Sequence, residues 1–252
     1  MPKRLIAMAA AFVCVTACAR PSDAQGTWED HARISINFGA QPTTSAFNAT
    51  TNVPVNDQTA TATLTTSYSV PNGQFFDGDV VVRVSGGFGI DIGASWFSKS
   101  QISSIVGSIP HPLIPNRPRP ISGTSSPLER DEITGYIDAA YVFSGNRVDL
   151  AVSGGPAFFT VSQDLVANVL YAEAPPFDTV LFTGAVTTKA MATNIGFNAG
   201  VDFGVKLSRN VGVGGVVRYS RASVTFPLAN TASGVHADAG GTHAGGGVRF
   251  YF

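Results

Sequence analysis

The chain has 252 residues, of which 13% are charged and 44% hydrophobic, with 27 glycines and a formal net charge of −1. Ordinary soluble proteins carry roughly 25% charged residues, and disordered chains combine high charge with low hydrophobicity, so the composition is typical of neither class. The near-neutral charge also argues against a nucleic-acid partner, which binds a basic surface.

The first 24 residues predict a secretory signal peptide. Lys3 and Arg4 form a basic start, and residues 5–15 form an apolar stretch that is too short to span a membrane as a helix. A competing interpretation is a lipidation motif that ends at Cys18. Cleavage after residue 24 would remove both cysteines, and no thiol would then remain for a disulfide or a metal.

Residues 25–252 are predicted to form one domain whose side chains alternate with a period of two. The clearest example is the segment 191–207, where Ile195, Phe197 and Phe203 share a face with other apolar residues and the opposite face is polar or very small. Strands of soluble proteins are usually about 5–6 residues long, whereas a strand that crosses a bilayer needs ~9–11. The length of this apolar face therefore favours a membrane-spanning strand.

The same alternation predicts eight strands along the chain. They lie at about 31–41, 58–84, 88–99, 129–143, 148–164, 188–207, 211–226 and 239–252. Long polar or proline-rich loops are expected near 42–57, 100–128, 165–187 and 227–238. Long loops at one end and short turns at the other are typical of outer-membrane barrels. Pro71-Asn72-Gly73 interrupts the second strand and predicts a bulge or a bend there.

The C-terminal strand resembles the last strand of bacterial outer-membrane β-barrels. Gly247, Phe250 and Phe252 match the Gly-x-x-aromatic-x-aromatic ending that the barrel assembly machinery reads in that class. In layout, the chain is similar to the small eight-stranded barrels of the OmpA-transmembrane and OmpW-like type. The resemblance implies an all-β, transmembrane, antiparallel up-and-down barrel in the cell outer membrane. Outer-membrane lipids, lipopolysaccharide and the assembly machinery would be its partners.

The face opposite the apolar stripe predicts which charged residues lie in the barrel lumen. The acids assigned to it are Asp77, Asp79, Asp91, Asp138, Asp149 and Asp202, and the bases are Arg33, Arg83, Lys206, Arg218 and Arg249. Side chains just fill the interior of an eight-stranded barrel. Nearly balanced charges in so narrow a space should pair, whereas an ion pore carries an excess of one sign. We therefore predict a lumen plugged by an Arg/Asp network, with Phe97 and Phe159 also facing inward.

A structural or surface-interaction role follows from a plugged lumen, and two other functions stay open. The second hypothesis is a narrow channel or transporter for small or hydrophobic solutes. The third is a lipid-modifying enzyme, for which His31, His111, His236 and His243 are the only histidines available. We expect no enzyme activity, no cofactor and no metal, because the histidine spacing does not match a zinc site.

The proline-rich stretch 100–128 carries two candidate contacts for lipopolysaccharide. Arg117 and Arg119 stand between prolines, and a guanidinium group binds phosphate through two parallel hydrogen bonds. The apolar residues of the stretch 165–187 are expected to rest on the barrel mouth or the lipid interface.

Overall fold

The computed structural model describes residues 29–55, 60–229 and 234–252, so the predicted signal peptide lies outside the described residues. The described residues form twelve β-strands: β1 (Ala32–Gln41), β2 (Ser45–Val55), β3 (Ala60–Val70), β4 (Gly73–Ser85), β5 (Phe88–Gln101), β6 (Ser104–Pro110), β7 (Pro118–Thr124), β8 (Leu128–Ser144), β9 (Val148–Ala172), β10 (Leu181–Lys206), β11 (Val211–Phe226) and β12 (Val235–Tyr251). No helix in these three ranges is long and apolar enough to cross a membrane.

Eight of the strands close into an antiparallel barrel in the order β1-β12-β11-β10-β9-β8-β5-β4. The ring closes at β1, where Arg33 lies opposite Tyr251 of β12 on one side and opposite Val81 of β4 on the other. The predicted fold class, an all-β antiparallel barrel of eight strands, is confirmed.

The other four strands form a separate sheet in the order β2-β3-β6-β7, called the extracellular sheet below. The prediction of a single strand over 58–84 is wrong, because Pro71 and Asn72 separate β3 from β4 and place them in different sheets. Proline cannot donate to a strand ladder, so pairing stops there. The expected loops 42–57 and 100–128 are also largely strand, since they contain β2, β6 and β7.

The β9–β10 hairpin continues far beyond the length that a membrane needs. The two strands pair from Val148 opposite Val205 up to Ala172 opposite Leu181, so much of the expected loop 165–187 is a β-hairpin. β9 has 25 residues, whereas ~9–11 suffice to cross a bilayer. The upper half of this hairpin therefore projects outside the membrane.

A belt of exposed apolar side chains surrounds the lower part of the barrel. Along β5 the belt runs from Phe88, which is 63% exposed, to Trp96, which is 54% exposed. Along β8 it runs from Phe143 to Ile133. These lengths match the ~9–11 residues of a membrane-spanning strand, and so large an apolar surface is not stable in water. The belt is the lipid-facing surface.

Above the belt, the strands exchange the polarity of their two faces. On β9, Leu150 and Phe158 point outward, but Val161 and Leu165, higher on the same strand, are buried inside. These inward side chains pack against the extracellular sheet and form an apolar core, whose members include Ala49, Leu64, Tyr68, Ile105, Ile109, Ile121, Val224 and Phe226. The extracellular sheet and the upper parts of β9 to β12 are called the extracellular domain below.

Candidate functional site

An ion-pair network lies in the periplasmic part of the lumen. Arg33 NH1 lies 2.6 Å from Asp149 Oδ2 and 3.3 Å from Asp202 Oδ1. The Arg249 guanidinium donates to both carboxylate oxygens of Asp202, over 3.1 and 2.7 Å, and the Tyr251 hydroxyl donates to Asp149 Oδ1 over 2.7 Å. All five side chains are buried, so this network ties β1, β9, β10 and β12 together through charge-assisted bonds.

A second layer of polar side chains surrounds Arg218 in the middle of the lumen. Arg218 NH2 lies 3.3 Å from Asp91 Oδ2, and the guanidinium carbon is 3.7 Å from the centre of the Tyr136 ring. The Tyr136 hydroxyl donates to Asp77 Oδ2 over 2.9 Å, and Asn37 donates to the other oxygen of Asp77 over 3.1 Å. The layer therefore contains a cation–π contact as well as hydrogen bonds.

The middle of the lumen holds more carboxylates than this one arginine can pair. Asp138 accepts a hydrogen bond from Asn198 over 2.8 Å, and neither carboxylate oxygen of Asp79 has a hydrogen-bond partner. All of the predicted acids are buried, but of the predicted bases only Arg33, Arg218 and Arg249 are. The lumen therefore departs from the expected charge balance.

Arg83 and Lys206, which were expected in the lumen, lie instead at its periplasmic rim. Arg83 NH2 is 3.1 Å from His31 Nδ1, and Lys206 Nζ is 2.6 Å from Asp30 Oδ2. Strand alternation assigns a residue to a face but does not say how close it lies to the strand end, where a long side chain reaches water. Lys206 lines a cavity of about 1050 Å³ between the periplasmic turns and the chain ends.

Inward-facing glycines provide the space for the large polar side chains. A Cβ atom at Gly204 would overlap Asp149 Oδ1 and the Tyr251 hydroxyl, and a Cβ atom at Gly93 would overlap the Tyr136 hydroxyl. Sequence reasoning did not include Tyr251 or Tyr136 in the network. Their spacing could have indicated their inward position. Tyr251 lies two residues after Arg249 and Tyr136 lies two residues before Asp138, so each tyrosine shares the inward face with that charged residue.

A third polar layer, missed from the sequence, lies at the extracellular end of the lumen. Arg130 is 0% exposed, and its Nε atom is 2.6 Å from Glu132 Oε1. Glu132 Oε2 accepts the Gly240 amide over 2.8 Å, and His243 is hydrogen-bonded to Gln41 over 2.7 Å. Arg130 and Glu132 alternate with the outward Ile133, and that alternation was the signal for their inward position.

The apolar core of the extracellular domain begins directly above this layer. Phe97 and Phe159, which were expected to face inward, are both buried, and Phe159 belongs to the core. The core continues upward through Leu64 and Tyr68, where the Val166 amide donates to the Tyr68 hydroxyl oxygen over 2.8 Å. Burial raises the pKa of Tyr68 to about 12.

The two loop arginines that were expected to contact lipopolysaccharide join two hairpins of the extracellular domain. Arg119 is buried, and it donates to Glu173 Oε2 over 2.6 Å and to the carbonyl oxygens of Phe177 and Pro110 over 3.0 and 2.9 Å. Arg117 NH2 lies 3.0 Å from Asp178 Oδ1. The buried Arg119 therefore has no free face for a phosphate.

The histidines make structural contacts in the described part of the chain. His243 is buried, His236 is hydrogen-bonded to Thr225 over 2.8 Å, and His111 Nδ1 accepts two backbone amides. In residues 29–55, 60–229 and 234–252, no group of three or more His, Cys, Asp or Glu side chains is arranged to hold a metal ion.

The residues of the expected assembly signal lie on β12 where it pairs with β1. Phe252 is exposed and Phe250 is partly buried, opposite Ile34 of β1. Gly247 lies opposite Asn37, and a Cβ atom there would overlap the carbonyl oxygen of Ile36. Gly247 thus permits close contact at the seam where the first and last strands of the barrel meet.

These features together define the class of the protein. A closed antiparallel barrel with an apolar belt outside and paired charges inside satisfies its backbone hydrogen bonds internally, as a membrane requires. Barrels of this construction belong to the bacterial outer membrane. The chain is therefore an outer-membrane β-barrel protein, located in the cell outer membrane.

Comparison with known proteins adds three similar structures. No family model and no curated protein matches the chain. It is similar to neisserial surface protein A, with 13% identity, 88% of this chain and 97% of that chain covered, and a TM-score of 0.42. It is also similar to the outer membrane protease OmpT from Escherichia coli, with 9% identity, 90% of this chain and 98% of that chain covered, and a TM-score of 0.47. A third similar structure is Ail, the attachment invasion locus protein of Yersinia pestis, with 14% identity, 87% of this chain and 99% of that chain covered, and a TM-score of 0.37. These similarities assign no activity to the chain.

Proposed function

We propose that the protein is a surface-interaction protein of the outer membrane, with a barrel that is sealed at its extracellular end and does not conduct solutes. The observation that carries the proposal is the apolar core above the lumen. Leu64 and Ile105 of the extracellular sheet belong to one core with Val161 and Phe226 of the barrel strands, and all four are buried. A water-filled path would separate these side chains, and each Å² of apolar surface exposed costs about 25 cal/mol.

The polar layers below the core support the same proposal. Arg33 and Arg249 are bound to carboxylates on other strands, so they cannot swing aside without leaving a buried charge unpaired. The tyrosines Tyr136 and Tyr251 occupy further space between the paired charges. We propose this Arg/Asp network as the second barrier to solute passage, beneath the apolar core.

A narrow cation channel is the second candidate, and a specific observation favours it. Asp77, Asp79, Asp91 and Asp138 share the middle of the lumen with Arg218, and such a surplus of carboxylates attracts cations. A cation channel would also require a water-filled path through the extracellular end of the barrel, where the apolar core lies.

Planar bilayer recording with the purified protein distinguishes the two candidates. We expect no stable conductance from the native protein. The variant Leu64→Asp places a carboxylate in the apolar core and should produce channel openings, whereas Thr63→Asp, which alters the exposed neighbour on the same strand, should not. A stable, cation-selective conductance from the native protein would refute the sealed barrel and establish the channel.

We also propose that Phe252 and Phe250 are read by the barrel assembly machinery, and that outer-membrane lipids and lipopolysaccharide surround the belt. The exposed position of Phe252 at the end of the last strand supports recognition before the barrel closes. The variant Phe252→Ser should reach the outer membrane in smaller amounts than the native protein. An equal amount of both, measured in isolated outer membranes, would contradict this proposal.

A further inference from the structure

The tip of the β6–β7 hairpin exposes two large aliphatic side chains. This segment, His111–Arg117, is called the distal tip below. Leu113 is 71% exposed and Ile114 is 44% exposed, and prolines flank the pair on both sides. These two residues contribute nothing to the core of the domain, and they differ from its other exposed aliphatic residues in being adjacent and at the end of a hairpin.

The backbone donors around these two residues are absent or already satisfied. Pro110, Pro112 and Pro115 have no N–H group. The amides of Leu113 and Ile114 both donate to His111 Nδ1, each over 3.1 Å, and the His111 amide donates to the Arg117 carbonyl over 2.9 Å. Hence no backbone N–H group from 110 to 115 needs water. The donors of this segment therefore meet their part of the condition for entry into an apolar medium, in which both N–H and C=O groups need partners.

The distal tip is held rigidly and carries no surplus charge. Arg119, two residues beyond the distal tip on β7, binds Glu173, and Arg117 pairs with Asp178 of the β9–β10 connection, so each arginine is matched by one acid. A rigid segment loses little conformational entropy when it binds. Because its charges are balanced, the distal tip has no net positive charge that would attract it to an anionic surface.

The distal tip is also far from the membrane that holds the barrel. It contacts the β9–β10 connection just beyond Ala172, whereas the apolar belt on β9 ends near Phe158. Fourteen residues of strand between these points correspond to about 46 Å along the chain at roughly 3.3 Å per residue, and to somewhat less in height because strands tilt. The bilayer around the barrel is therefore out of reach.

We propose that the distal tip inserts Leu113 and Ile114 into the surface of an opposing lipid bilayer, and so attaches the cell to a second membrane. This inference rests on the proposed surface-interaction role and names the partner as a lipid surface with no required charge. Because two aliphatic side chains give weak binding, attachment would depend on many copies acting together.

For the test, the full chain is reconstituted in vesicles, and these vesicles are coupled to beads. Fluorescent phosphatidylcholine vesicles without protein are then added, and the fluorescence that the beads retain measures capture. Native protein should capture them at pH 7.5, with or without added phosphatidylglycerol. The double variant L113S/I114S should lower capture by about tenfold, because many weak contacts act together. The matched control I102S/V106S removes two aliphatic side chains that are exposed elsewhere on the extracellular domain, and should stay within about twofold of the native protein.

Equal capture by L113S/I114S and the native protein, or no capture at all, would overturn the proposal. Capture that requires phosphatidylglycerol would overturn it as well, because binding would then be electrostatic. Conductance is measured separately, so a conducting barrel would refute the sealed lumen without deciding the role of the tip.

Discussion

The membrane-spanning barrel and the extracellular domain share several strands but have opposite patterns of polarity. On β11, Val217 faces lipid while its neighbour Arg218 is buried in the lumen. Higher on the same strand, Val224 is buried in the apolar core while Thr225 faces water. The alternation keeps its period of two throughout, so only the polarity of each face changes. The surrounding solvent, rather than the strand itself, decides which face is apolar.

This reversal means that the two regions are stabilised by different interactions. The extracellular domain buries apolar surface, which is favourable whatever the exact partner. The lumen buries charges, and the buried charges of Arg33 and Arg249 are neutralised by carboxylates on other strands. Inserting a charge should therefore damage the extracellular domain most, and removing one should damage the barrel most.

The largest effect is expected from Leu64→Asp in the apolar core. Leu64 is buried at the centre of the extracellular sheet, and an ionised carboxylate there has no cation to pair with among the described neighbours in the core. We expect the extracellular domain to unfold locally, at a cost of several kcal/mol, while the barrel stays folded. Limited proteolysis should cut the extracellular sheet, and the heat-modifiable gel mobility of the barrel should persist.

Thr63→Asp is the matched control for that variant. It places the same carboxylate one residue away on the exposed face of β3, where water solvates it. Its protease resistance should equal that of the native protein. If Leu64→Asp also destroyed the heat-modifiable mobility, the two regions would not be separable, and the comparison would fail.

The second effect is expected in the lumen, where Arg249→Ala removes one partner of a buried ion pair. The substitution leaves Asp202 with Arg33, 3.3 Å away, as its remaining partner. Breaking a buried ion pair costs about 3–5 kcal/mol, so the urea midpoint of the barrel in detergent should fall clearly. Arg209→Ala, at an exposed periplasmic turn, should leave the midpoint unchanged. An unchanged midpoint for both would show that the network contributes nothing to stability.

The barrel itself could be predicted because lipid makes its pattern simple. Every belt strand shows apolar residues at alternate positions, as in 88–96 and 133–143, and the signal does not depend on knowing the partner strand. The extracellular sheet lacked such a signal. β2 is rich in threonine and asparagine and buries only Ala49, Thr51 and Val53, so its segment reads as a polar loop, whereas β3 lies within the predicted strand 58–84.

The pairing within the lumen could be predicted only in part. Alternation assigns Asp149, Asp202 and Arg249 to the inner face, and all three are buried, but alternation cannot say at what height each residue lies. Heights depend on the stagger of neighbouring strands, which the structure establishes through registers such as Arg33 opposite Tyr251. The reversal of polarity above Phe158 was visible in the sequence, because inward positions become apolar there, yet the interpretation ended the strand at 164.

The third effect concerns how tightly side chains pack against the inner wall of the barrel, and the variant that tests it is Gly204→Ala. An added Cβ atom would overlap Asp149 Oδ1 and the Tyr251 hydroxyl, so both must shift and their hydrogen bond must weaken. We expect a loss of about 1–3 kcal/mol, as for other overpacked sites. Gly135→Ala is the control, because nothing lies within 4 Å of its added Cβ atom, and it should be neutral or slightly stabilising. Equal urea midpoints for the two variants would contradict the packing argument.

The fourth effect, similar in size to the third, returns to the extracellular domain and depends on pH. Burial raises the pKa of Tyr68 to about 12, whereas a tyrosine in an unfolded chain ionises near 10. Because the folded pKa is the higher one, the stability from the neutral hydroxyl is complete below pH 10 and is lost as the pH rises toward 12. Tyr68→Phe leaves the Val166 amide without its acceptor, which costs about 1–3 kcal/mol, and it should also remove this alkaline loss. Protease resistance of the extracellular sheet between pH 9 and 12 measures both effects. The same alkaline loss in Tyr68→Phe would assign it to another group, whereas its disappearance would show that ionisation of the buried Tyr68 hydroxyl causes the loss.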